Sequence, residues 1–119
     1  MPIRGSREKA RELAESTPNA IYMEQHHNPA NAQGHRETTA EEIWRDTQGC
    51  ITHFVSSMGT TGTIMGCSAY FKQQNPDIQI VGLQPEDGSS IPDIRRWPEA
   101  YLPAIFDAAR VDRVMDISQ

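Results

Sequence analysis

The chain has 119 residues, 37% of them hydrophobic and 23% charged, which suits one globular domain and excludes a disordered or collagen-like protein. Sixteen acidic residues against eleven Lys and Arg give a net charge of −5, and the basic residues form no run, so we do not expect nucleic acid as a partner. No stretch approaches the ~20 apolar residues of a membrane helix. Two cysteines form no disulfide framework, so we expect a cytoplasmic protein.

The first third of the chain predicts a helix, a strand and a loop. Ser6 is placed to cap a helix over residues 6–15, where apolar residues recur at three- and four-residue spacing. Residues 20–23, Ala-Ile-Tyr-Met, predict a short buried strand. The polar segment 26–36 contains Pro and Gly, and predicts an irregular loop.

A second helix is predicted from its boundary signals. Thr39 and Glu42 fit a capping box, in which each side chain bonds to the exposed backbone N–H of the other residue. Ile43 and Trp44 supply apolar side chains, and Gly49 predicts the C-terminal cap.

The middle of the chain predicts a βαβ unit over residues 51–85. Residues 51–56 are rich in β-branched and aromatic side chains and predict a strand, residues 64–74 predict a helix, and residues 78–83 predict a second strand. One face of the helix carries small or apolar side chains: Ile64, Cys67, Ser68 and Phe71.

The predicted fold class is therefore α/β, a parallel sheet with flanking helices, in a single domain over residues 1–119. Residues 86–110 are loop-like, with several prolines, and residues 111–117 predict a last strand.

A turn dense in glycine and hydroxyl groups follows the first strand of this unit. Gly59, Thr60, Thr61, Gly62 and Thr63 lie where a parallel sheet places its ligand, at the carboxyl end of a strand and the start of a helix. Glycines let backbone N–H groups converge, threonines add hydroxyl donors, and the helix N-terminus carries about half a positive charge. This pattern favours an anion-binding site.

The residues in and after the turn also indicate which kind of anion it could bind. No Lys follows as in a nucleoside-triphosphate P-loop, and the glycine spacing is not that of a dinucleotide fingerprint. A turn without a cationic side chain suits a single phosphate monoester. The alternative is that the glycine turn only connects the strand to the helix and binds no ligand. Gly66, one helical turn further, is predicted to let the helix lie close to the strand.

Segments spread over nearly the whole chain match one known family in order and spacing. They are Gln25, residues 28–31, His35, and residues 42–44, 51–64, 81–86, 89–92 and 94–98. Together they resemble the cysteine synthase B group, or O-acetylserine sulfhydrylase B, of the fold-type II pyridoxal-phosphate enzymes. The chain corresponds to the middle third of such an enzyme, within its larger domain. Thr61 and residues 95–98 favour the B form over the A form, whose loop usually reads Gly-Thr-Gly-Gly-Thr.

The resemblance implies a transferase of cysteine biosynthesis with pyridoxal 5'-phosphate as its cofactor. It would replace the leaving group of an O-acetylserine-like substrate by sulfide or thiosulfate, giving cysteine or S-sulfocysteine. Residues 59–63 would hold the cofactor phosphate, Gln25 would lie near the substrate carboxylate, and Arg95 would belong to a substrate-entrance region over residues 86–110. The intact family enzyme is a homodimer. The sequence leaves the sulfur donor and the leaving group open.

The chain departs from the family pattern in two places. His26 and His27 stand where Phe and Asn are common, and Ala40 and Glu41 stand where Gly and Pro are common. The first pair is expected to affect the shape of the site near the substrate carboxylate. The second pair extends a helix start.

The chain carries no catalytic residue that the resemblance would identify. The family binds its cofactor through a lysine in a Ser-x-Lys-Asp-Arg-like segment, and neither Lys9 nor Lys72 matches that segment. We therefore expect a fragment that has no synthase activity by itself.

Two alternatives come from other classes of protein. Cys50 and His53 have a metal-ligand spacing, but they flank a strand start, where alternation sends them to opposite faces, and no second cluster exists. The chain would instead be a non-catalytic phosphate-binding or interaction module if its large aromatic side chains were exposed: Trp44, Trp97, Tyr101 and Phe106.

Overall fold

A computed structural model describes residues 3–98 and 101–119, which fold into helices packed on a small sheet. The helices are α1 (Ile3–Ser16), α2 (Ala30–Glu37), α3 (Thr39–Asp46) and α4 (Gly62–Gln74). The strands are β1 (His53–Ser57), β2 (Gln79–Pro85) and β3 (Arg113–Ile117). None of the described helices combines the length and the hydropathy that spanning a bilayer requires.

The sheet is parallel and has the order β1-β2-β3. Val55 of β1 pairs with Val81 of β2, and Leu83 of β2 pairs with Met115 of β3. β1 and β2 run in the same direction, so a tight turn cannot join them. α4 forms the crossover connection between the two strands. The predicted parallel α/β class is confirmed, and the strands predicted at 51–56, 78–83 and 111–117 agree within two residues.

The core is built around α4. Its predicted apolar face is confirmed, because Ile64, Cys67, Ser68 and Phe71 are each fully buried. Ser68 Oγ donates a hydrogen bond to the carbonyl of Arg110, so its burial leaves no polar group unpaired. Burial raises the pKa of the Cys67 thiol to about 11, which makes this side chain a packing residue and not a nucleophile.

Two predictions for the first third of the chain are wrong. α1 begins at Ile3, before Ser6, so Ser6 lies inside the helix and does not cap it. Residues 20–23 form no strand: Ile21 is 81% exposed and Met23 is 63% exposed. A run of apolar residues forms a strand only where a neighbouring strand can pair with it. Within the described residues, no strand pairs with this segment.

The loop predicted over residues 26–36 is also wrong, since most of it forms α2. The side chain of Asn28 accepts a hydrogen bond from the backbone N–H of Ala30 at 3.0 Å, which starts the helix without a side-chain cap at Pro29. α2 has a polar sequence, and its stability comes from packing against α4.

The capping box is wrong as well, although α3 starts where it was expected. Thr38, not Thr39, is the N-cap, and no side chain caps the helix. The hydroxyl of Thr39 instead lies 2.8 Å from His35 Nδ1. At the other end, the C-cap is Thr47 and not Gly49 as predicted, although the N–H of Gly49 donates to the carbonyl of Trp44 and Gly49 has φ +70.

Gly66 permits close helix packing in the core, but its neighbour is α2 and not the strand predicted to lie there. A Cβ at this position would lie 2.2 Å from the carbonyl oxygen of Ala32 and 2.8 Å from the backbone nitrogen of Arg36. On the sheet side, close packing falls instead at Gly82 of β2, against Met58 and Ile64.

Replacing Gly66 by Ala should therefore destabilise the fold, although Ala is the better helix former. We expect a loss of about 1–3 kcal/mol in the free energy of unfolding, measured by urea denaturation, because backbone atoms must move to admit the methyl group. Gly34→Ala in α2 is the matched control, since nothing lies within 4 Å of its added Cβ. That variant should raise the free energy of unfolding by about 0.5–1 kcal/mol, because Ala has a higher helix propensity than Gly. Equal effects at the two positions would contradict the close contact.

Candidate functional site

The turn between β1 and α4 has a strained backbone at its centre. Thr61 adopts the left-handed conformation, with φ 71 and ψ 5, and it is the N-cap of α4 without a side-chain capping bond. A β-branched residue rarely takes this conformation outside functional sites. The first turn of α4 also holds no acidic side chain, so its positive end is not neutralised from within the helix.

The three threonine hydroxyls of the turn have different partners. Thr60 Oγ1 accepts from Asn31 Nδ2 at 3.0 Å and from the N–H of Gly62 at 3.3 Å. Thr63 Oγ1 lies 3.4 Å from His35 Nε2. Thr61 Oγ1 is buried and has no hydrogen-bond partner. Of the three hydroxyls of the turn, only that of Thr61 therefore has no partner among the described residues.

Asn31 of α2 holds the turn in place, a role that the sequence reasoning missed. Its side-chain amide donates both to Thr60 Oγ1 and, at 2.9 Å, to the carbonyl of Gln25. Its Oδ1 would lie 2.1 Å from a Cβ at Gly62, so a larger residue at that point of the turn would displace the Asn31 side chain. No local pattern identifies such a contact, because it joins residues about thirty positions apart.

A loop over residues 93–97 lies against the other side of the turn. The indole N–H of Trp97 donates to the carbonyl of Gly59 at 2.7 Å, and the N–H of Arg95 donates to the carbonyl of Met58 at 3.0 Å. A Cβ at Gly59 would lie 2.8 Å from the carbonyl oxygen of Asp93. The loop and the turn are therefore held together by these hydrogen bonds.

A cavity of about 720 Å³ brings several of the predicted site residues together. Gln25 and Arg95, predicted to contact substrate, line it with Gly59 and Thr60 of the turn. The other three residues of the turn, Thr61, Gly62 and Thr63, are not among its lining residues.

The cavity wall also includes Arg7, which sequence reasoning did not place in the site, and His26, which was expected to affect the shape of the site near the substrate carboxylate. His26 is 93% buried and packs edge-on to Trp97, with ring centroids 5.4 Å apart. Burial, and then the positive charge of Arg7, lower the pKa of His26 below its ordinary value, so its ring is neutral at neutral pH.

The two lysines of the chain lie elsewhere and are paired. Lys9 Nζ lies 3.0 Å from Glu12, and Lys72 Nζ lies 2.8 Å from Asp112. The hydrogen bond from Lys72, with a second from the N–H of Ile80, lowers the pKa of the Asp112 carboxyl. Neither lysine lines the cavity. Among the residues that the structure covers, no group of three or more His, Cys, Asp or Glu side chains could hold a metal ion.

Comparison with known proteins gives a consistent match. The family model described as pyridoxal-phosphate dependent enzyme matches residues 3–116. Cysteine synthase B of Pseudomonas aeruginosa is 56% identical over 117 residues, and that of Escherichia coli is 54% identical. The fold superimposes on a cysteine synthase from Entamoeba histolytica with a TM-score of 0.84 at 28% identity, and on O-ureido-L-serine synthase with a TM-score of 0.83 at 30% identity.

These matches cover nearly all of this chain but only part of each relative. The aligned region is 98% of this chain and 39% of the Pseudomonas aeruginosa protein, or 38% of the Escherichia coli protein. For the two structures it is 97% of this chain and 36% or 39% of the solved chain.

The contact between Asn31 and Gly62 can be tested by a double-mutant cycle. Gly62→Ala alone should cost about 1–3 kcal/mol of unfolding free energy, because the methyl group displaces the Asn31 side chain. In an Asn31→Ala background the same change should cost at least about 1 kcal/mol less. Gln33→Ala, an exposed position on α2, serves as the control background and should show additive effects. Additivity in the Asn31 background would contradict the contact.

Proposed function

Because this chain belongs to the family of pyridoxal-phosphate dependent enzymes, we propose that its turn at residues 59–63 binds the phosphate group of pyridoxal phosphate. We propose further that the chain is part of a cysteine synthase, a transferase of cysteine biosynthesis. Its substrates would be an O-acetylserine-like amino acid and a sulfur nucleophile, sulfide or thiosulfate. The names of its relatives support this assignment.

The single observation that carries the phosphate site is the hydroxyl of Thr61. A buried hydroxyl without a partner costs about 1–3 kcal/mol, and its residue is also held in a strained conformation. A phosphate oxygen would accept a hydrogen bond from this group. The residues present therefore fit the cofactor that the family description names.

The other residues of the turn have distinct roles in this proposal. Gly59 and Gly62 leave no Cβ between the backbone and neighbouring atoms, so the turn can be tight enough for its N–H groups to converge. The uncapped start of α4 contributes a positive dipole end in place of a cationic side chain. Thr60 and Thr63 orient the turn through Asn31 and His35. The bound cofactor would supply an electron sink for reactions of an amino-acid substrate.

The substrate contacts are proposed for Gln25 and Arg95, which share one cavity with the start of the turn. The amide of Gln25 can donate a hydrogen bond to a substrate carboxylate. The guanidinium of Arg95 can attract an anionic sulfur donor. Residues 86–110 would form the substrate entrance, in line with the bonds from the backbone N–H of Arg95 and the indole N–H of Trp97 to carbonyls at the turn.

A cytoplasmic location and a homodimer also belong to the proposal. Cys50 and Cys67 are both free thiols, as expected of a protein from a reducing compartment. The homodimer rests on the family resemblance. An interaction module without catalysis has less support, because Trp44 and Phe106 pack against the core and Trp97 is bonded to Gly59.

Thr61→Val tests the phosphate site, because it keeps the shape of the side chain and removes only the hydroxyl. Pyridoxamine phosphate is the probe, since it has the phosphate but no aldehyde to react with amines. We expect calorimetry to show that the wild-type chain prefers pyridoxamine phosphate to pyridoxamine, and that Thr61→Val reduces this preference about tenfold.

The same variant should keep or raise the stability of the ligand-free chain, because an unsatisfied buried hydroxyl is removed. Thr47→Val is the control, since the Thr47 hydroxyl lies outside the turn and donates to the carbonyl of Ile43 on an exposed surface. A phosphate preference that persists in Thr61→Val would count against the role of this hydroxyl. Absence of any preference in the wild type would contradict the phosphate site itself.

The chain alone should make no cysteine from O-acetylserine and sulfide. Lys9 and Lys72 are its only lysines, and both are held in ion pairs away from the cavity. Thiol production, followed by a colorimetric cysteine assay with added pyridoxal phosphate, should equal that of a protein-free control. Turnover above that control, retained after Lys9→Arg and Lys72→Arg, would show that another group performs the chemistry.

A further inference from the structure

The hydroxyl groups of the turn at residues 59–63 can each act as a donor or as an acceptor. A hydroxyl has one hydrogen and two lone pairs. A phosphate group presents strong acceptor oxygens, so it is attracted to a hydroxyl only when the hydrogen points toward it. Because no Lys or Arg belongs to the turn, its affinity for an anion depends on how the hydroxyl hydrogens are directed.

Asn31 fixes the direction of the hydroxyl hydrogen of Thr60. Asn31 Nδ2 donates at 2.9 Å to the carbonyl of Gln25, which can only accept, and the same nitrogen donates to Thr60 Oγ1 at 3.0 Å. The backbone N–H of Gly62 is a second donor to Thr60 Oγ1, at 3.3 Å. Both lone pairs of this oxygen are therefore engaged. Its hydrogen is left for an acceptor other than these two partners.

His35 lies four residues after Asn31 on α2, and it contacts the turn at Thr63. Residues at this spacing share one face of a helix. A Cβ at Gly66 would lie 2.9 Å from the Cβ of His35, so the close packing of α2 on α4 fixes the base of this side chain. His35 Nδ1 lies 2.8 Å from Thr39 Oγ1, and Nε2 lies 3.4 Å from Thr63 Oγ1. The ring therefore connects the start of α3 to the turn.

Two arrangements of hydrogens satisfy the neutral His35 ring, in which one nitrogen donates and the other accepts. If Nδ1 carries the hydrogen, Nε2 accepts from the Thr63 hydroxyl, which then presents only lone pairs to a ligand. If Nε2 carries the hydrogen, it donates to Thr63, Thr39 donates to Nδ1, and the Thr63 hydrogen can point outward. The contact with Thr63 is long for a hydrogen bond, so it fixes neither arrangement.

We propose that His35 is a positioning residue of the turn, and that a phosphate bound there selects the tautomer with hydrogen on Nε2. The Thr63 hydroxyl then accepts from His35 and donates to the phosphate. Asn31 acts on Thr60 in the same way, and the Thr61 hydroxyl has no partner among the described residues. All three hydroxyls are thus available as donors to one phosphate group.

This inference rests on the proposed function, because it assigns the residues that make a turn without a cation selective for phosphate. Neither Asn31 nor His35 contacts the phosphate in this arrangement. Both residues act through the threonine hydroxyls, so their effect on binding should depend on those hydroxyls being present.

Calorimetric comparison of pyridoxamine phosphate with pyridoxamine tests the role of His35. His35→Met removes both ring nitrogens and should lower the preference for the phosphorylated compound about fivefold. His35→Gln places an amide N–H donor near the position of Nε2, so the preference should stay within about twofold of the wild type. His53→Met is the matched control, since exposed His53 lies 2.9 Å from Thr52 Oγ1 and its loss should leave the preference unchanged.

A double-mutant cycle separates positioning from a general effect on folding. In a Thr63→Val background the hydroxyl through which His35 acts is absent, so His35→Met should change the phosphate preference by less than about twofold. In a Thr47→Val background the same change should still cost about fivefold. An equal cost in the two backgrounds would overturn the proposal, and so would equal losses in His35→Gln and His35→Met.

The tautomer can also be observed in the wild-type chain, without any variant. A long-range ¹⁵N–¹H spectrum of the imidazole ring distinguishes a nitrogen that carries hydrogen from one that accepts. With saturating pyridoxamine phosphate at mildly alkaline pH, we expect His35 Nε2 to carry the hydrogen and Nδ1 to carry none. Hydrogen on Nδ1 in this complex would overturn the proposal.

The outcomes separate this inference from the phosphate site itself. A wild-type chain that prefers pyridoxamine phosphate while His35 keeps its hydrogen on Nδ1 would remove the role of His35 and leave the phosphate site standing. A wild-type chain without any preference for the phosphorylated compound would overturn both.

Discussion

The close contact between α2 and the start of α4 is the constraint on which the candidate site depends. It requires glycine at position 66, where the carbonyl of Ala32 would lie 2.2 Å from a Cβ, and at position 62, where Asn31 occupies the space. Because α2 is pressed against α4, Asn31 reaches Thr60 and the carbonyl of Gln25 together. One side chain therefore connects the turn after β1 to the segment that carries His26 and lines the cavity.

Among the described residues, the buried polar side-chain atoms without a partner lie at the cavity and the turn and not in the rest of the core. The α4 face is fully buried and its polar member, Ser68, is paired with a backbone carbonyl. By contrast, Thr61 has a left-handed backbone and an unpaired hydroxyl, and Arg7 and His26 each bury an unpaired nitrogen. The packed core and the unpaired polar groups thus occupy adjacent regions, a distribution that supports the proposed binding site.

Local patterns predicted the part of the fold in which neighbours in sequence are also neighbours in structure. The run from β1 through the glycine turn and α4 to β2 has clear alternation, turn residues and helical spacing, and its strands and helix are as predicted. Residues 20–23 and 26–36 were predicted wrongly because their conformations depend on partners far away in sequence. Residues 20–23 have no neighbouring strand to pair with in the described part of the chain, and most of residues 26–36 form a helix because they pack against α4. The same reason explains why Asn31 escaped notice as a site residue. Its role comes from contacts with Thr60 and Gly62, which no spacing within α2 reveals.

The central claim is that the turn at residues 59–63 is a phosphate site formed by the fold itself, without a covalent link to a lysine. Backbone ¹⁵N–¹H spectra of the chain, recorded during titration with pyridoxamine phosphate, test it most directly. The largest shifts should fall on the amides of Thr61, Gly62 and Thr63 and on the side-chain amide of Asn31, with little change in β3. Saturable shifts located elsewhere, with the turn unaffected, would contradict the claim.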